Sequence, residues 1–321
     1  MTADPIDIID LHPPAQHFMS DVLRGLSRRP RTIPPKYFYD QRGSELFEQI
    51  TRLPSYYPTR TEVAILEQHA TDLADLIGAE PLVIEPGSGS SLKTRLLLQA
   101  LRPTCVYMPI DISRSALLAA AEPLSQALPD VPIQPVCADF TQPLTLPEPP
   151  QPCRRRVVFF PGSTLGNFHP PQRLKLLRRF RELAGREGVV IVGLDLTRDP
   201  NVLHAAYDDE AGVTAAFNLN VLHRANEELG ADFKPERFEH RTLYCPRRRR
   251  VEMHLASREG QRVTIADRAF DFTAGETILT ECSYKFDVPT VERAAGRAGL
   301  GLRAHFTDAD ERFGVLCFAA D

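Results

Sequence analysis

The sequence predicts an α/β fold with a doubly wound parallel sheet and a second block of structure inserted late in the chain. Three observations predict it. Short apolar runs alternate with helical patterns between residues 82 and 196. A glycine turn follows the first of these runs, and the alternation stops after residue 196. The length of 321 residues also exceeds the roughly 100 to 200 that are usual for one domain.

The composition excludes several classes of protein. With 43% hydrophobic and 25% charged residues, the chain has the balance of a folded globular protein rather than a disordered one. A net charge of -4 provides no general attraction for nucleic acid or for an anionic membrane. The first residues are rich in acids and prolines, unlike a signal peptide, and no apolar run of about 18 residues follows. We expect a soluble, cytoplasmic protein.

Metal binding and assembly leave no clear signature. The six cysteines form no C-x-x-C pair, and the nine histidines show no metal-binding spacing. The basic runs 154–156 and 247–250 lack interleaved aromatic residues and are typical of solvated turns. No heptad pattern or exposed apolar stripe occurs, which favours a monomer. We therefore expect no metal and no nucleic-acid partner.

The first 77 residues predict helices interrupted by prolines. Apolar residues recur at helical spacing over residues 16–28, 44–53 and 59–77. Pro54 and Pro58 force an irregular segment between the second and third of these helices. Tyr56 is therefore expected in a loop.

The alternating region predicts five strands, at 82–85, 105–111, 133–139, 157–161 and 189–196. Helices are expected to begin at Leu92, Ser113 and Pro170. A helical stretch over 201–229 and strand-like segments over 238–286 make up the insertion. A helix near 288–298 and a strand at 313–319 follow, and this strand is expected at the edge of the first sheet.

The first predicted strand runs into the turn Gly87–Gly89, where bare backbone allows a ligand to approach closely. Asp111 ends the next strand, where a carboxylate can accept both ribose hydroxyls of an adenosine. Asp139 and Phe140 end the third, where the acid can accept the adenine amino group while the ring packs on the base. The sequence predicts an adenosine site at the carboxyl edge of the sheet.

The glycine turn favours S-adenosylmethionine over a nicotinamide dinucleotide. The dinucleotide fingerprint G-x-G-x-x-G has a third glycine for close helix packing, and Leu92 stands at that position. S-adenosylmethionine carries no phosphate, so Glu85 near the turn could face its cationic amino-acid end. A methyltransferase is favoured, and a nicotinamide-dependent oxidoreductase remains the alternative.

Seven segments, in order along nearly the whole chain, resemble one known family, the histidine N-α-methyltransferases of ergothioneine biosynthesis. The segments are IPPKYFYD (33–40), GSELFEQITRLPSYYPTRTE (43–62), EPGSGSSLKTRLLL (85–98), GSTLGN (162–167), AAYDDEAGVTAAFN (205–218), VEMHL (251–255) and TECSYKF (280–286).

The resemblance implies a Rossmann-like class I methyltransferase sheet with an inserted second α+β substrate-binding domain. It assigns S-adenosylmethionine binding to residues 60–196 plus 286–321, and substrate binding to 8–59 plus 197–285. It also implies three successive methyl transfers from S-adenosylmethionine to the α-amine of L-histidine. The product is trimethylhistidine (hercynine), and the reaction is the first step of ergothioneine biosynthesis.

The resemblance further implies the residues of the site. Tyr39 and Asn167 fall at the transfer region, as catalytic candidates. The cofactor positions are Tyr39, Gly87, Lys93, Asp111, Asp139 and Phe140. The positions that hold the amine and carboxylate of the substrate are Tyr56, Asn167 and Tyr207, and those that bind the imidazole are Met253, Glu281 and Ser283. Pro86, Tyr37 and Cys282 depart from the family's pattern.

The chemistry of an imidazole fits the last of these positions. A neutral imidazole has one N–H donor and one acceptor nitrogen, so Glu281 can accept from the first and Ser283 can donate to the second. Because successive strand residues alternate sides, residues two apart can share a pocket. A same-fold enzyme for another amino acid, such as tryptophan, would need an apolar lining instead. A nucleic-acid-binding module is the last alternative, and would bind polyanions with strong salt dependence.

Overall fold

The computed structural model describes residues 6–11, 17–89, 92–101 and 105–320. The chain divides into two compact units. The first comprises Met1–Pro14, Arg60–Leu196 and Phe286–Asp321, and the second comprises Ala15–Thr59 and Thr197–Lys285.

The strands, in chain order, are β1 (Ile9–Asp10), β2 (Arg31–Thr32), β3 (Pro81–Pro86), β4 (Val106–Asp111), β5 (Val136–Cys137), β6 (Arg155–Phe160), β7 (Val189–Asp195), β8 (Phe238–Cys245), β9 (Arg250–Ser257), β10 (Gln261–Ile265), β11 (Arg268–Phe272), β12 (Thr277–Tyr284), β13 (Leu300–Thr307) and β14 (Phe313–Ala320).

The α-helices are α1 (Phe18–Leu26), α2 (Gln41–Arg52), α3 (Tyr57–Gln68), α4 (Ala70–Ile77), α5 (Leu92–Leu101), α6 (Arg114–Ala127), α7 (Pro170–Ala184), α8 (Pro200–Tyr207), α9 (Val213–Leu229) and α10 (Val288–Gly296). Short 3-10 helices cover Pro35–Phe38, Thr164–Asn167 and Pro235–Arg237.

The first unit is built on one sheet with strand order β1-β5-β4-β3-β6-β7-β14-β13. Strands β1 to β7 of this sheet run parallel, and β14 and β13 form an antiparallel hairpin beside β7. Strands β3 and β7 are buried along their whole length, which is why they appear in the sequence as continuous apolar runs. The predicted α/β class is confirmed.

The carboxyl-terminal hairpin corrects one expectation. The predicted strand at 313–319 was expected at the sheet edge, but β14 is interior and β13 forms the edge. β13 was not predicted from the sequence. It is only partly buried, so its polar and apolar residues alternate and it lacks the continuous apolar run of an interior strand. The reversed hairpin also distinguishes this sheet from the order 3-2-1-4-5-6 of dinucleotide-binding folds.

Other boundaries differ for local reasons. The strand predicted over 133–139 contracts to β5, because Pro132 and Pro135 cannot donate to a ladder. The helix predicted over 59–77 is divided at His69, whose backbone leaves the helical region and whose ring stacks on Phe306. The stretch 201–229 is divided at Gly212, which has a positive φ of 71°.

The second unit packs helices on a separate four-stranded sheet of order β2-β12-β9-β8. A two-stranded hairpin of β10 and β11 accompanies it. Its apolar core joins α1, α2, α8 and α9 to these strands, with Phe217 and Val221 of α9 among its buried members. This unit therefore has a hydrophobic core of its own, as expected of a domain.

Candidate active site

The glycine turn after β3 leaves room beside the backbone. Gly87 has a φ of 70°, and a Cβ placed there would lie 3.3 Å from the ring of Phe140. Among the residues that the structure describes, none has an atom within 4 Å of a Cβ placed at Gly89. Ser90 and Ser91 of the same motif lie outside the described residues. The turn is therefore tight at Gly87 but open at Gly89, as a site for a close-fitting ligand requires.

The two predicted aspartates lie at the carboxyl ends of adjacent strands. Asp111 ends β4, and its Oδ1 accepts a hydrogen bond of 2.9 Å from the Ser113 N–H. Desolvation raises the pKa of the Asp111 carboxyl, although backbone N–H groups partly oppose it. Asp139 follows β5, and Thr141 donates to its Oδ1 from both backbone and hydroxyl, at 2.9 and 2.6 Å. Both carboxylates are thus oriented by their own loops.

Glu85, beside the glycine turn, is buried and hydrogen-bonded within the first unit. Its side chain is buried, and its Oε2 accepts from the hydroxyls of Thr94, at 2.7 Å, and Tyr107. Burial raises the pKa of Glu85 to about 7, against the lowering effect of these hydrogen bonds and of Lys93. One oxygen of the carboxyl is thus held by hydroxyls from α5 and β4, the helix and strand that follow the turn in the chain.

Glu62 is a buried carboxylate that the sequence analysis missed. It is 0% exposed, and its two oxygens accept from the backbone N–H of Gly162 at 2.9 and 3.1 Å. Its Oε2 lies 2.6 Å from Nζ of Lys93, one of the predicted cofactor residues. A Cβ at Gly193 would come within 2.0 Å of Glu62 Oε1, so the glycine makes room for the carboxylate.

The loop that carries Asn167 is anchored at its start. Gly162 and Ser163 both have positive φ, 83° and 59°, and the 3-10 helix Thr164–Asn167 follows. The Ser163 hydroxyl accepts from the N–H of Asp195 at the end of β7. Together with the bond from Gly162 to Glu62, this contact fixes the loop on two sides. Asn167 is half-buried.

In the second unit, Tyr39 and Tyr56 flank an aromatic cluster. The Tyr39 ring is edge-on to Phe47 and Phe217, with ring centroids 5.7 Å apart in both cases. Phe47 in turn contacts the ring of Tyr56, at 6.3 Å. Tyr39 is 43% exposed despite these contacts. Although part of the side chain reaches solvent, the loss of water around the hydroxyl and the charge of Glu281 raise the pKa of Tyr39, so its phenol stays protonated at neutral pH.

The three predicted imidazole residues lie on neighbouring strands. Met253 of β9 is directly opposite Glu281 of β12, and Ser283 is two residues further along β12. A bulge at Thr280 shifts the register, so that Glu281 instead of Thr280 faces Met253. The Thr280 hydroxyl bonds Asn218 of α9 at 2.7 Å. The three side chains consequently share one side of the sheet.

Tyr207 and Lys285 complete a polar cluster around Ser283. The hydroxyls of Tyr207 and Ser283 are 2.8 Å apart. Lys285 Nζ donates to both, at 2.8 Å to Tyr207 and 3.0 Å to Ser283. The sequence analysis assigned Tyr207 to the charged end of the substrate, and the structure brings its hydroxyl to Ser283. Lys285 lies within the segment TECSYKF (280–286), but nothing in the local sequence distinguishes it from a solvated lysine.

Glu281 is poised between its two protonation states. The residue is only 8% exposed, and burial raises the pKa of its carboxyl to about 7, while Lys285 lowers it. A carboxylate accepts two hydrogen bonds readily, whereas a protonated carboxyl group also donates one. The ionised form is the one that can accept from an imidazole N–H, and near pH 7 both forms are populated.

The described residues contain neither a metal-binding cluster nor a membrane-spanning helix. Across residues 6–11, 17–89, 92–101 and 105–320, no three His, Cys, Asp or Glu side chains gather in a metal-binding arrangement. Within the same ranges, every helix is too short or too polar to cross a bilayer.

The parallel sheet with its reversed hairpin, together with the glycine turn and the strand-end carboxylates, defines a class I S-adenosylmethionine-dependent methyltransferase. The family model described as "Histidine-specific methyltransferase, SAM-dependent" matches residues 18–320. The chain belongs to this family. The family assignment confirms the resemblance and excludes the nicotinamide-dependent oxidoreductase.

Relatives of known name are similar over nearly the full length. A histidine N-α-methyltransferase of Mycolicibacterium smegmatis is 42% identical, with 94% of each chain covered. One of Mycobacterium tuberculosis is 43% identical, with 92% of each covered. "Ergothioneine biosynthesis protein 1" of Neurospora crassa is 30% identical over 88% of this chain and 32% of the fungal protein.

Proposed function

We propose that this protein transfers three methyl groups in succession from S-adenosylmethionine to the α-amine of L-histidine. The product is the trimethylammonium betaine of histidine, and the reaction opens a route to ergothioneine. Family membership supports the reaction class. The observation that supports histidine as the substrate is the shared face of β9 and β12. On that face Glu281 and Ser283 provide an acceptor and a donor beside Met253.

The imidazole ring is recognised by its two unlike nitrogens. The N–H of the neutral ring donates to ionised Glu281, and the other nitrogen accepts from the Ser283 hydroxyl. Met253, which is buried opposite Glu281, supplies the apolar contact with the ring. An indole has a single N–H and no acceptor nitrogen. Tryptophan would leave Ser283 without its partner, so the polar pair favours histidine.

Each predicted cofactor residue binds a different part of S-adenosylmethionine. Asp111 accepts hydrogen bonds from the ribose hydroxyls, and Asp139 accepts one from the adenine amino group. The Phe140 ring packs on the base. The open backbone at Gly89 fits the close approach of the methionine part, since a Cβ there would meet no atom of the described residues within 4 Å. When bound, the group supplies an electrophilic methyl on a sulfonium.

Transfer requires a neutral amine held in line with the methyl group. The amine nitrogen forms a bond to the methyl carbon as the carbon–sulfur bond breaks, and the amine loses one proton for each methyl accepted. Asn167, Tyr56 and Tyr207 hold the amine and carboxylate, and Tyr39 borders the transfer region. Alignment and exclusion of water supply most of the rate. The aromatic faces stabilise the growing cation by about 0.5–2 kcal/mol.

Mass spectrometry tests the reaction and the substrate together. Purified protein is incubated with S-adenosylmethionine and an equimolar mixture of the twenty amino acids. We expect mono-, di- and trimethylhistidine to appear, and methylation of a different amino acid would refute the pocket assignment. In the Glu281→Ala variant, the KM for histidine should rise far more than the dissociation constant for S-adenosylmethionine. Equal losses of both would argue against the imidazole role.

We also propose that the enzyme acts as a cytoplasmic monomer. Its net charge of -4 and its lack of a heptad pattern support this state. Light scattering coupled to size-exclusion chromatography should give a mass near 35.9 kDa. A mass of twice that value would refute the monomer.

A further inference from the structure

A buried lysine contacts two of the residues proposed to bind the substrate. Lys285 is 4% exposed, and its ammonium lies 4.6 Å from the centroid of the Tyr207 ring. It donates to the hydroxyls of Tyr207 and Ser283. An ammonium has three donors and no lone pair, so both hydroxyl oxygens act as acceptors towards it. Removing a charge from water in this way is costly, and a lysine is almost never fully buried unless its ammonium has partners.

The direction of these hydrogen bonds constrains the hydroxyl protons. Because Lys285 occupies a lone pair on each oxygen, neither proton can point to it. Only one of the two protons can lie between Tyr207 and Ser283, whose oxygens are 2.8 Å apart. The other proton points to a partner outside these three residues. The pair therefore presents a donor, which is what the acceptor nitrogen of a neutral imidazole requires.

We propose that Lys285 is a positioning residue that sets the polarity of the imidazole pocket. It orients the Tyr207 and Ser283 hydroxyls as donors, and its positive charge balances ionised Glu281, so that the pocket accepts the neutral ring and rejects the imidazolium. This inference rests on the proposed histidine methylation. A protonated ring would bring two N–H donors and a second cation towards a donor and an ammonium, which is unfavourable on both counts.

The same lysine acts on Glu281. Lys285 lowers the Glu281 pKa against the effect of burial. Burial raises the pKa of the neighbouring Tyr39 and Cys282 groups, and the charge of Glu281 adds to this effect. Loss of the ammonium therefore favours protonated Glu281. A protonated Glu281 is a poorer acceptor for the imidazole N–H, so the binding of histidine should require a higher pH.

Lys285→Met tests the proposal, because methionine retains much of the length and removes the charge and the donors. We expect kcat/KM for histidine to fall about 10- to 100-fold at pH 7.5, the range for lost hydrogen bonds to a charged group. The loss should appear mainly in the KM for histidine. The dissociation constant for S-adenosylmethionine should change less than about twofold. The acid limb of the pH profile for histidine should move to higher pH.

Lys234→Met is the matched control, because Lys234 is an exposed lysine of the same unit. A double-mutant cycle with Ser283→Ala isolates the coupling, and the two losses should be clearly less than additive if Lys285 acts through Ser283. Where Lys285→Met fails to fold, Lys285→Gln supplies the same comparison, because it keeps a donor and removes the charge.

The outcomes separate the two hypotheses. A folded Lys285 variant with wild-type kcat/KM and an unmoved acid limb, in an enzyme that methylates histidine, overturns the role of Lys285 alone. Fully additive losses in the cycle overturn it as well. A wild-type protein that makes no methylhistidine overturns the proposed function, and this inference falls with it.

Discussion

Replacing Glu62 with alanine removes a carboxylate that pairs with both Lys93 and the Gly162 N–H. The carboxylate is fully buried, and its contacts are short, at 2.6 Å to Lys93 Nζ and 2.9 Å to the Gly162 nitrogen. Alanine leaves an ammonium whose side chain is only 15% exposed and a backbone donor without their acceptor. Both groups then bear a desolvation cost that nothing offsets.

The expected magnitude follows from this loss. Removing one partner of a buried ion pair typically lowers the free energy of unfolding by about 3–5 kcal/mol, and we expect Glu62→Ala to fall in this range. Glu62→Gln keeps the shape and one acceptor oxygen for Gly162, so its loss should be about 1–3 kcal/mol. Lys93 and the loop to Asn167 also lose their anchor. The KM for S-adenosylmethionine should consequently rise in both variants.

Urea unfolding followed by circular dichroism measures the stability, and isothermal titration with S-adenosylmethionine measures the binding. Glu67→Ala and Glu67→Gln are the controls, because Glu67 is an exposed acid on the same helix, α3. An unfolding free energy of Glu62→Ala within about 0.5 kcal/mol of wild type, the range of an ordinary surface change, would refute the reasoning.

Three further predictions concern single residues. Burial raises the Glu281 pKa from 4.5 to about 7, so the folded state binds its proton more tightly and stability falls as pH rises between these values. In the wild type, the free energy of unfolding should fall by about 3 kcal/mol between pH 5 and pH 8 through this group, and in Glu281→Gln this fall should be absent. Asp111→Ala should weaken S-adenosylmethionine binding about 10- to 100-fold by calorimetry, since it removes the ribose acceptor; an unchanged affinity contradicts that role. Gly193→Ala should lower the melting temperature strongly, because its Cβ would overlap Glu62 Oε1. Gly296→Ala should not, because its Cβ would meet no described atom within 4 Å.

The sheet was predictable where burial is continuous. Strands β3 and β7 are buried on both faces, so their apolar runs identified them without any knowledge of their neighbours. The short β5 and the edge strand β13 were not predictable to the same extent. Two prolines shorten the first, and the second shows the polar alternation of a half-exposed segment. The local hydrophobic pattern of a sequence indicates how buried a strand is. Prediction from it therefore fails where a strand is short or lies at an edge.

The site was predictable only at the level of residue types. The strand-end acids and the spacing of Glu281 and Ser283 follow from sequence, but their alignment with Met253 depends on the bulge at Thr280. That bulge is accompanied by a bond from Thr280 to Asn218, which is 62 residues away. Without the extra residue, Thr280 would face Met253 and Glu281 would point to the other side of the sheet. No local pattern contains this information.

Glu62 and Lys285 show a second limit of the same kind. In a sequence, an isolated Glu on a helix or Lys after a strand resembles a solvated surface residue, because such side chains are mostly exposed. Each is instead buried and donates to or accepts from groups that border the proposed site: Gly162 and Lys93 for Glu62, Tyr207 and Ser283 for Lys285. A resemblance identifies the residues that touch a ligand. The charges that orient those residues become visible only when the fold brings partners from distant segments to a single polar atom.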